Sequence, residues 1–180
     1  MSMLTRGLQS VGLLALSAFP VFADTAPAPV LPGGATAINE VHSDWTVRCG
    51  TSGTGTACAV SQQQMDKATK KRVLAIGLAS QPGGGVKGSL MMPFGLALDS
   101  GVTLQIDDGP LTAPVHFRTC MPAGCVIPLE WPATTVTALR AAQKLKVVAQ
   151  GDNGKPVPFT ISMAGFASAL DRAIALVPAK

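Results

Sequence analysis

Apolar and polar residues alternate through most of the chain beyond residue 40. Trp45, Val47 and Cys49 share one side of a predicted strand while the residues between them are polar, a pattern typical of a sheet with one buried face. Similar short segments bounded by turn residues predict further strands at residues 58–64, 72–79, 102–106, 115–119, 125–129, 144–150 and 159–163. The pattern as a whole indicates about nine short strands.

Two segments show helical spacing instead. Thr134 or Thr135 is suited to cap a short helix that ends near Gln143, with Val136 and Leu139 as its apolar pair. Further along, an apolar stripe predicts a second helix that lies over the sheet, and its members are Phe166, Leu170, Ile174 and Val177.

The composition agrees with a sheet-rich fold. Of the 180 residues, 19 are Gly and 14 are Pro, and only 13% are charged, which disfavours a helical bundle or a coiled coil. We therefore predict a mainly β fold, an antiparallel β-sandwich or partly closed barrel of about nine short strands with two short helices, one of them C-terminal.

The first 23 residues have the features of a secretory signal peptide. Arg6 precedes an apolar stretch over residues 11–22, and Val21 and Ala23 fit the small-residue positions of a cleavage site. The stretch contains Pro20 and is shorter than the roughly 20 residues that span a bilayer. We predict cleavage after residue 23, export, and no transmembrane segment in the remaining chain.

The rest of the chain divides at residue 40. Residues 24–39 are rich in Ala, Pro and Gly, and we expect a disordered leader because such a segment buries too little apolar surface. Residues 40–180 are predicted to form a single β-rich domain. The net charge of +4 is too small to indicate a nucleic-acid partner.

Four cysteines carry the clearest chemistry in the sequence. In an oxidising compartment four thiols are expected to form two disulfides, for which three pairings are open. We favour Cys49–Cys58, on consecutive strands joined by a Gly-rich turn, and Cys120–Cys125, which enclose a tight loop. A redox dithiol and a four-thiolate zinc site are the alternatives, and the spacings fit both less well.

The sequence offers little material for catalysis. The two histidines, His42 and His116, are expected to face solvent, and a G-x-S-x-G nucleophile motif does not occur. We predict no catalytic residues, no metal and no cofactor. A copper site would need methionines, but these are scattered over different predicted strands and are expected to fill the core; they are Met65, Met91, Met92, Met121 and Met163.

Four basic residues cluster between the second and third predicted strands: Lys67, Lys70, Lys71 and Arg72. One explanation is a solvated turn that keeps neighbouring strands from pairing with other molecules. The other is an electrostatic contact with an acidic partner surface. This basic cluster is our candidate partner-binding site.

The order of these motifs resembles the invasion-associated locus B family of exported bacterial proteins over most of residues 40–176. The resemblance depends on the W-x-x-x-C opening at Trp45, the F-x-x-C-x-x-x-G-C element that begins at Phe117, and the closing Gly165-Phe166. It implies a small, mainly β, periplasmic or surface-associated protein of a Gram-negative bacterium. The family's name refers to entry into host cells, and the resemblance brings no catalytic residues.

We therefore expect an exported, disulfide-stabilised, non-enzymatic protein of the cell envelope, periplasmic or secreted. It would act through contacts with a protein partner in the envelope or on a host cell. The alternative is a periplasmic protein that binds a small ligand or a metal. An apolar pocket with convergent polar groups would favour the alternative, whereas an exposed apolar patch or an unpaired edge strand would favour an interaction module.

Overall fold

The computed structural model describes residues 31–52 and 55–177. The predicted signal peptide and the first part of the predicted leader, residues 24–30, lie outside the described residues. Within these two segments the chain forms ten strands in two antiparallel sheets and two α-helices. The sheets do not close into a barrel. The mainly β class with a C-terminal helix is confirmed.

Hairpins and loops join most of the strands, one helix connects the eighth strand to the ninth, and the other helix follows the last strand. In chain order they are β1 (Ala37–His42), β2 (Trp45–Ser52), β3 (Gly55–Met65), β4 (Arg72–Ser80), β5 (Val86–Met92), β6 (Val102–Ile106), β7 (Thr119–Met121), β8 (Gly124–Trp131), α1 (Ala133–Ala141), β9 (Lys144–Gln150), β10 (Pro156–Ser162) and α2 (Phe166–Leu176).

The larger sheet has seven strands in the order β1-β2-β3-β4-β5-β8-β7, and the smaller has three in the order β10-β9-β6. The larger sheet is mostly a meander because each of its first four strands pairs with the next along the chain. After β5 the chain crosses to the smaller sheet, where Leu96 bridges to Gly151, and then returns through β7 and β8.

Both sheets and both helices contribute to one apolar core. Trp45 at the start of β2 is fully buried, and its ring centroid lies 4.9 Å from that of Phe166 at the start of α2. The contacts of α2 are mainly with β2 and β3. The helix therefore covers the first part of the larger sheet, the role that the sequence predicted for it.

Both disulfides that the sequence favoured are present in the structure. Cys49 lies directly opposite Cys58 on β2 and β3, and Cys120 lies opposite Cys125 in the β7–β8 hairpin. Each bond joins neighbouring strands of the larger sheet. The loop-closure entropy that each removes from the unfolded chain is worth on the order of 2–3 kcal/mol for rings this small.

Some boundaries differ from the predictions. The folded domain begins before residue 40, because Leu31 is buried and β1 starts at Ala37; the described part of the predicted leader is therefore not disordered. Of residues 115–119, predicted as a strand, Val115 forms only an isolated bridge, and β7 begins at Thr119.

The two helices also differ from the predictions. Pro132, not Thr134 or Thr135, is the N-cap of α1, because the helix follows β8 directly. In α2 the predicted stripe was wrong at Ile174, which is 44% exposed. Small alanines let the helix pack closely on the sheet, so the buried face consists of Phe166, Ala169, Leu170, Ala173 and Leu176.

Candidate functional site

The basic cluster lies on a turn between β3 and β4 that Asp66 organises. One oxygen of the Asp66 carboxylate accepts hydrogen bonds from the N–H groups of Ala68 (3.1 Å) and Thr69 (2.6 Å) and from the Thr69 hydroxyl (2.8 Å). These bonds lower the pKa of the Asp66 carboxyl, and the bond from the Thr69 N–H has the largest effect. The only acidic residue of the turn thus remains ionised and serves to shape the turn.

The turn directs Lys67, Lys70 and Lys71 into solvent. All three side chains are exposed, and Lys70 has a positive φ of 55°, stabilised by the bond from its N–H to the Asp66 carbonyl (2.9 Å). None of the three forms an ion pair with a residue that the structure describes. The geometry therefore leaves their charges available to a partner.

Arg72 does not extend from the turn with the three lysines. It is half-buried, and its guanidinium Nη2 donates to the carbonyl of Ala123 (3.0 Å) and lies 3.0 Å from the Met91 sulfur. Ala123 belongs to the turn between β7 and β8. Arg72 therefore links two turns at the same end of the larger sheet and is a positioning residue rather than a free cation.

Two methionines extend the basic turn into a mixed surface. Met65 ends β3 opposite Arg72 and is 52% exposed, while Met121, in the hairpin that Arg72 contacts, is 46% exposed. Their predicted role as core filling was wrong, although Met92 and Met163 are buried as expected. We call the surface of Lys67, Lys70, Lys71, Met65 and Met121 the basic platform.

The alternation of buried and exposed residues along β3 contains a signal, missed in the sequence, that Met65 is exposed. Gln62 is buried and Gln63 is exposed, so Met65 continues the outward face. An apolar residue in an outward position at the end of a strand is a candidate contact residue, particularly next to a cluster of lysines.

Several other cations of the described segments form ion pairs, while Arg48, Arg118 and Lys155 are exposed and form none there. Lys87 pairs with Glu130 (3.2 Å), Arg140 with Asp171 (2.8 Å) and Lys146 with Asp108 (2.8 Å), the kind of exposed pairs that contribute little to stability. The three lysines of the basic platform form no such pair with a described residue, and they lie together on one turn.

His42 was predicted to face solvent, and this was wrong. Its side chain is 22% exposed, with Nδ1 3.2 Å from the Ser168 hydroxyl and Nε2 3.6 Å from Glu40. The Ser168 hydroxyl donates to the Gly165 carbonyl (3.1 Å), and Glu40 accepts two hydrogen bonds from Arg172, each 2.8 Å long. Because the hydroxyl proton and the carboxylate are already engaged, this network joins β1 to α2 instead of activating a nucleophile.

A cleft of about 530 Å³ lies between α1 and the turn after β6. Leu111, which is 60% exposed, borders it. Its other lining groups are mostly apolar, with hydroxyl groups from Thr112, Thr134 and Thr135. In residues 31–52 and 55–177 no group of three or more His, Cys, Asp or Glu is placed to hold a metal ion. No helix in the same residues is both long and apolar enough to cross a bilayer.

Residues 45–173 match the family model described as invasion associated locus B (IalB) protein. This range runs from the buried Trp45 to the buried face of α2, and it contains both disulfides and the basic platform.

Similar proteins carry related names. An invasion protein B homolog of Brucella abortus (strain 2308) is 42% identical over 178 residues, which are 95% of this chain and 98% of that protein. Invasion protein B of Bartonella bacilliformis is 31% identical over 150 residues, 81% of this chain and 80% of that protein. The crystal structure of invasion associated protein B from Bartonella henselae superposes with a TM-score of 0.72 at 31% identity, covering 77% of this chain and 96% of that one.

Proposed function

The chain belongs to the invasion-associated locus B family, and from this premise we propose that it is an exported, non-enzymatic protein of the bacterial cell envelope that acts by binding a partner protein through the basic platform. The relatives are named for invasion, which is consistent with a role in contacts between molecules. The observation that carries the proposal is the set of three exposed lysines, without ion pairs among the described residues, on a turn that Asp66 holds in shape.

The platform combines two properties of a protein interface. Its cations are suited to meeting an acidic surface, since complementary charge speeds encounter and fixes orientation. Met65 and Met121 add flexible apolar area that contributes when a partner excludes water. Arg72 supports both parts, because its bond to Ala123 keeps the two turns side by side.

Charge reversal tests this proposal. In Lys67→Glu/Lys70→Glu/Lys71→Glu we expect loss of the partner that crosslinks to the wild-type protein in intact cells, whereas Lys67→Arg/Lys70→Arg/Lys71→Arg should retain it because the charge is kept. The binding of the wild-type protein should weaken with salt. Equal partner recovery and equal salt dependence in all three proteins would overturn the proposal.

Export is tested separately by fractionation and by determination of the N-terminal residue. The mature protein should begin at Asp24, because Val21 and Ala23 form the predicted cleavage site, and all four cysteines should resist alkylation. An uncleaved cytoplasmic protein with free thiols would contradict both the location and the crosslinks.

Binding of a small apolar ligand is the second candidate, and the cleft beside α1 favours it. Ala138 lines this cleft and is exposed, so Ala138→Trp should fill it without disturbing the core. Titration with a fluorescent fatty acid should show saturable binding that Ala138→Trp abolishes and Thr137→Trp, on the same helix but outside the lining, preserves. Equal binding by the three proteins would exclude this cleft as the site.

A further inference from the structure

Each of the two sheets ends in two edge strands, and three of these four edges are protected in the described residues. β7 has only three residues. β6 is covered by the segment that follows it, where Val102 and Val115 exchange two backbone hydrogen bonds (2.9 and 2.8 Å) and Thr112 donates to the carbonyl of Leu104 (2.8 Å). Protection of this kind keeps exposed backbone from pairing with other chains.

The edge of β10 is protected by residue type and by side chains. The carbonyls of Thr160 and Ser162 accept hydrogen bonds from the amide groups of Gln64 and Gln62 on β3, so these alternate residues point away from β9. Pro156 and Pro158 are the earlier residues of β10 that point away from β9 in the same way. Proline has no N–H, so it cannot donate a hydrogen bond at an edge.

The edge of β1 has no such protection from residues 31–52 and 55–177. Thr51 donates to the carbonyl of Thr36 (2.9 Å), so residue 36 faces β2, as do alternate residues after it. Ala37, Asn39 and Val41 therefore direct their N–H and C=O groups away from the sheet, where none of the described residues meets them. Their side chains are exposed as well, Val41 by 75%.

We propose that β1 pairs with β1 of a second copy of this chain in an antiparallel two-fold dimer centred on Asn39. In that register Asn39 lies opposite Asn39 of the other copy, and Ala37 lies opposite Val41. Every outward residue then meets an outward residue, and each of the three pairs exchanges two hydrogen bonds. A shift of two residues in one direction would place Glu40 opposite Glu40, and a shift in the other direction would place Val41 opposite Ala35, which precedes β1. Either shift leaves an outward residue of β1 without a partner in the other strand.

The side chains of β1 suit this pairing. On the outer face the small Ala37 leaves space for the branched Val41 of the other copy, the type of cross-strand pair that stabilises a sheet. On the inner face Ile38 would lie opposite Glu40, whose charge is neutralised by the two hydrogen bonds from Arg172. Because neither face places like charges together, the edge is complementary to itself.

The neighbouring segment of the same chain is a poorer occupant. Residues 24–30 contain Pro27 and Pro29, which lack the N–H that a ladder requires. A dimer centred on one six-residue strand per copy is small beside the usual interface of about 800 Å² per partner, so the association is reversible and depends on concentration.

Sedimentation velocity over a wide concentration range tests the dimer. The wild-type protein should shift from monomer to dimer, and Val41→Pro should weaken the association by about tenfold or more because it removes an outward N–H from both copies. Val41→Thr, still β-branched, should remain close to wild type, and Val41→Lys provides a second disruptive variant. Burial of Trp45, followed by its fluorescence, reports that each variant is folded.

A spin label at Asn39→Cys locates the interface. The two-fold register predicts one short distance between labels, whereas labels at Thr160→Cys, which lies against β3 on the protected edge of β10, should be clearly farther apart in the dimer. A monomer at every concentration would overturn the proposal, as would a dimer that persists in Val41→Pro and Val41→Lys. The proposal would also be overturned if β1 paired with a strand of another protein while this chain stayed monomeric.

Discussion

The edges of β10 and β1 show two solutions to the same physical problem. Each strand has one row of backbone groups that no neighbouring strand pairs with. In β10 the carbonyls of this row accept hydrogen bonds from glutamine side chains and two of its residues are prolines, whereas no described residue forms a hydrogen bond with the row of β1. Since both are edge strands in antiparallel sheets, the difference lies in the residue types and side chains at each edge and not in the type of strand pairing. The covered edge belongs to the core, and the uncovered edge is the one that we propose pairs with a second copy.

The covering of β10 also explains an unusual core residue. Gln62 is 6% exposed among apolar neighbours, and its amide donates to the Ser162 carbonyl (2.8 Å), which also accepts from the Trp45 indole (2.9 Å). A buried amide without a partner would be costly. Gln62 and Trp45 thus satisfy the edge of the smaller sheet from within the larger one.

Loss of Trp45 should break the covered edge most severely. Trp45→Ala removes the largest fully buried side chain, its contact with Phe166 and one hydrogen bond to β10. We expect the free energy of unfolding to fall by about 3–5 kcal/mol, measured by urea denaturation. Trp131→Ala, at a half-buried position, is the control and should cost about 1 kcal/mol. A loss below about 1 kcal/mol for Trp45→Ala would mean that the core is not built around this residue.

Replacement of Gln62 should open the covered edge without a cavity. Gln62→Leu keeps the volume but removes the donor to Ser162, so we expect a loss of about 1–2 kcal/mol in unfolding free energy and faster amide exchange in β10. Gln63→Leu, on the exposed face of β3, should stay within about 0.5 kcal/mol of wild type. Equal effects of the two changes would show that the glutamine cap does not stabilise the edge.

Acid should affect the uncovered edge through Glu40. Hydrogen bonds from Arg172 lower the pKa of the Glu40 carboxyl below its ordinary value of 4.5. A lowered folded-state pKa stabilises the fold above the unfolded-state value, and this contribution disappears as pH falls through the folded-state value. Urea midpoints compared at pH 7 and below pH 4.5 should therefore fall less in Glu40→Gln than in wild type. Glu130→Gln, on β8 near the other edge of the larger sheet, should show the same change in urea midpoint as wild type.

Much of the fold could be predicted because strand patterns are local. Trp45, Val47 and Cys49 reveal a buried face by simple alternation, and the cysteine pairs follow from short turns. β5 escaped prediction because Gly88 interrupts its inner face; a Cβ there would lie 1.9 Å from the Gly77 carbonyl oxygen. β1 escaped because its inner residues are only half-buried, and two of them, Glu40 and His42, are polar.

The cluster of basic residues was likewise visible in the sequence, but the different roles of its lysines and its arginine were not. Lys71 and Arg72 carry the same charge in adjoining positions, and only the proximity of Ala123 separates the free cation from the one that links two turns. The exposure of Met65 and Met121 has the same origin, since an apolar residue is buried or exposed according to what packs against it.

The sequence by itself determined the sheet-rich class, the pairing of the cysteines within hairpins and the position of the lysines, because each depends on residues close together in the chain. The tertiary structure alone decided which edge is covered and which is open. That outcome depends on contacts about a hundred residues apart, such as Gln62 with Ser162, and no local pattern of apolar and polar residues records where a distant backbone carbonyl will lie.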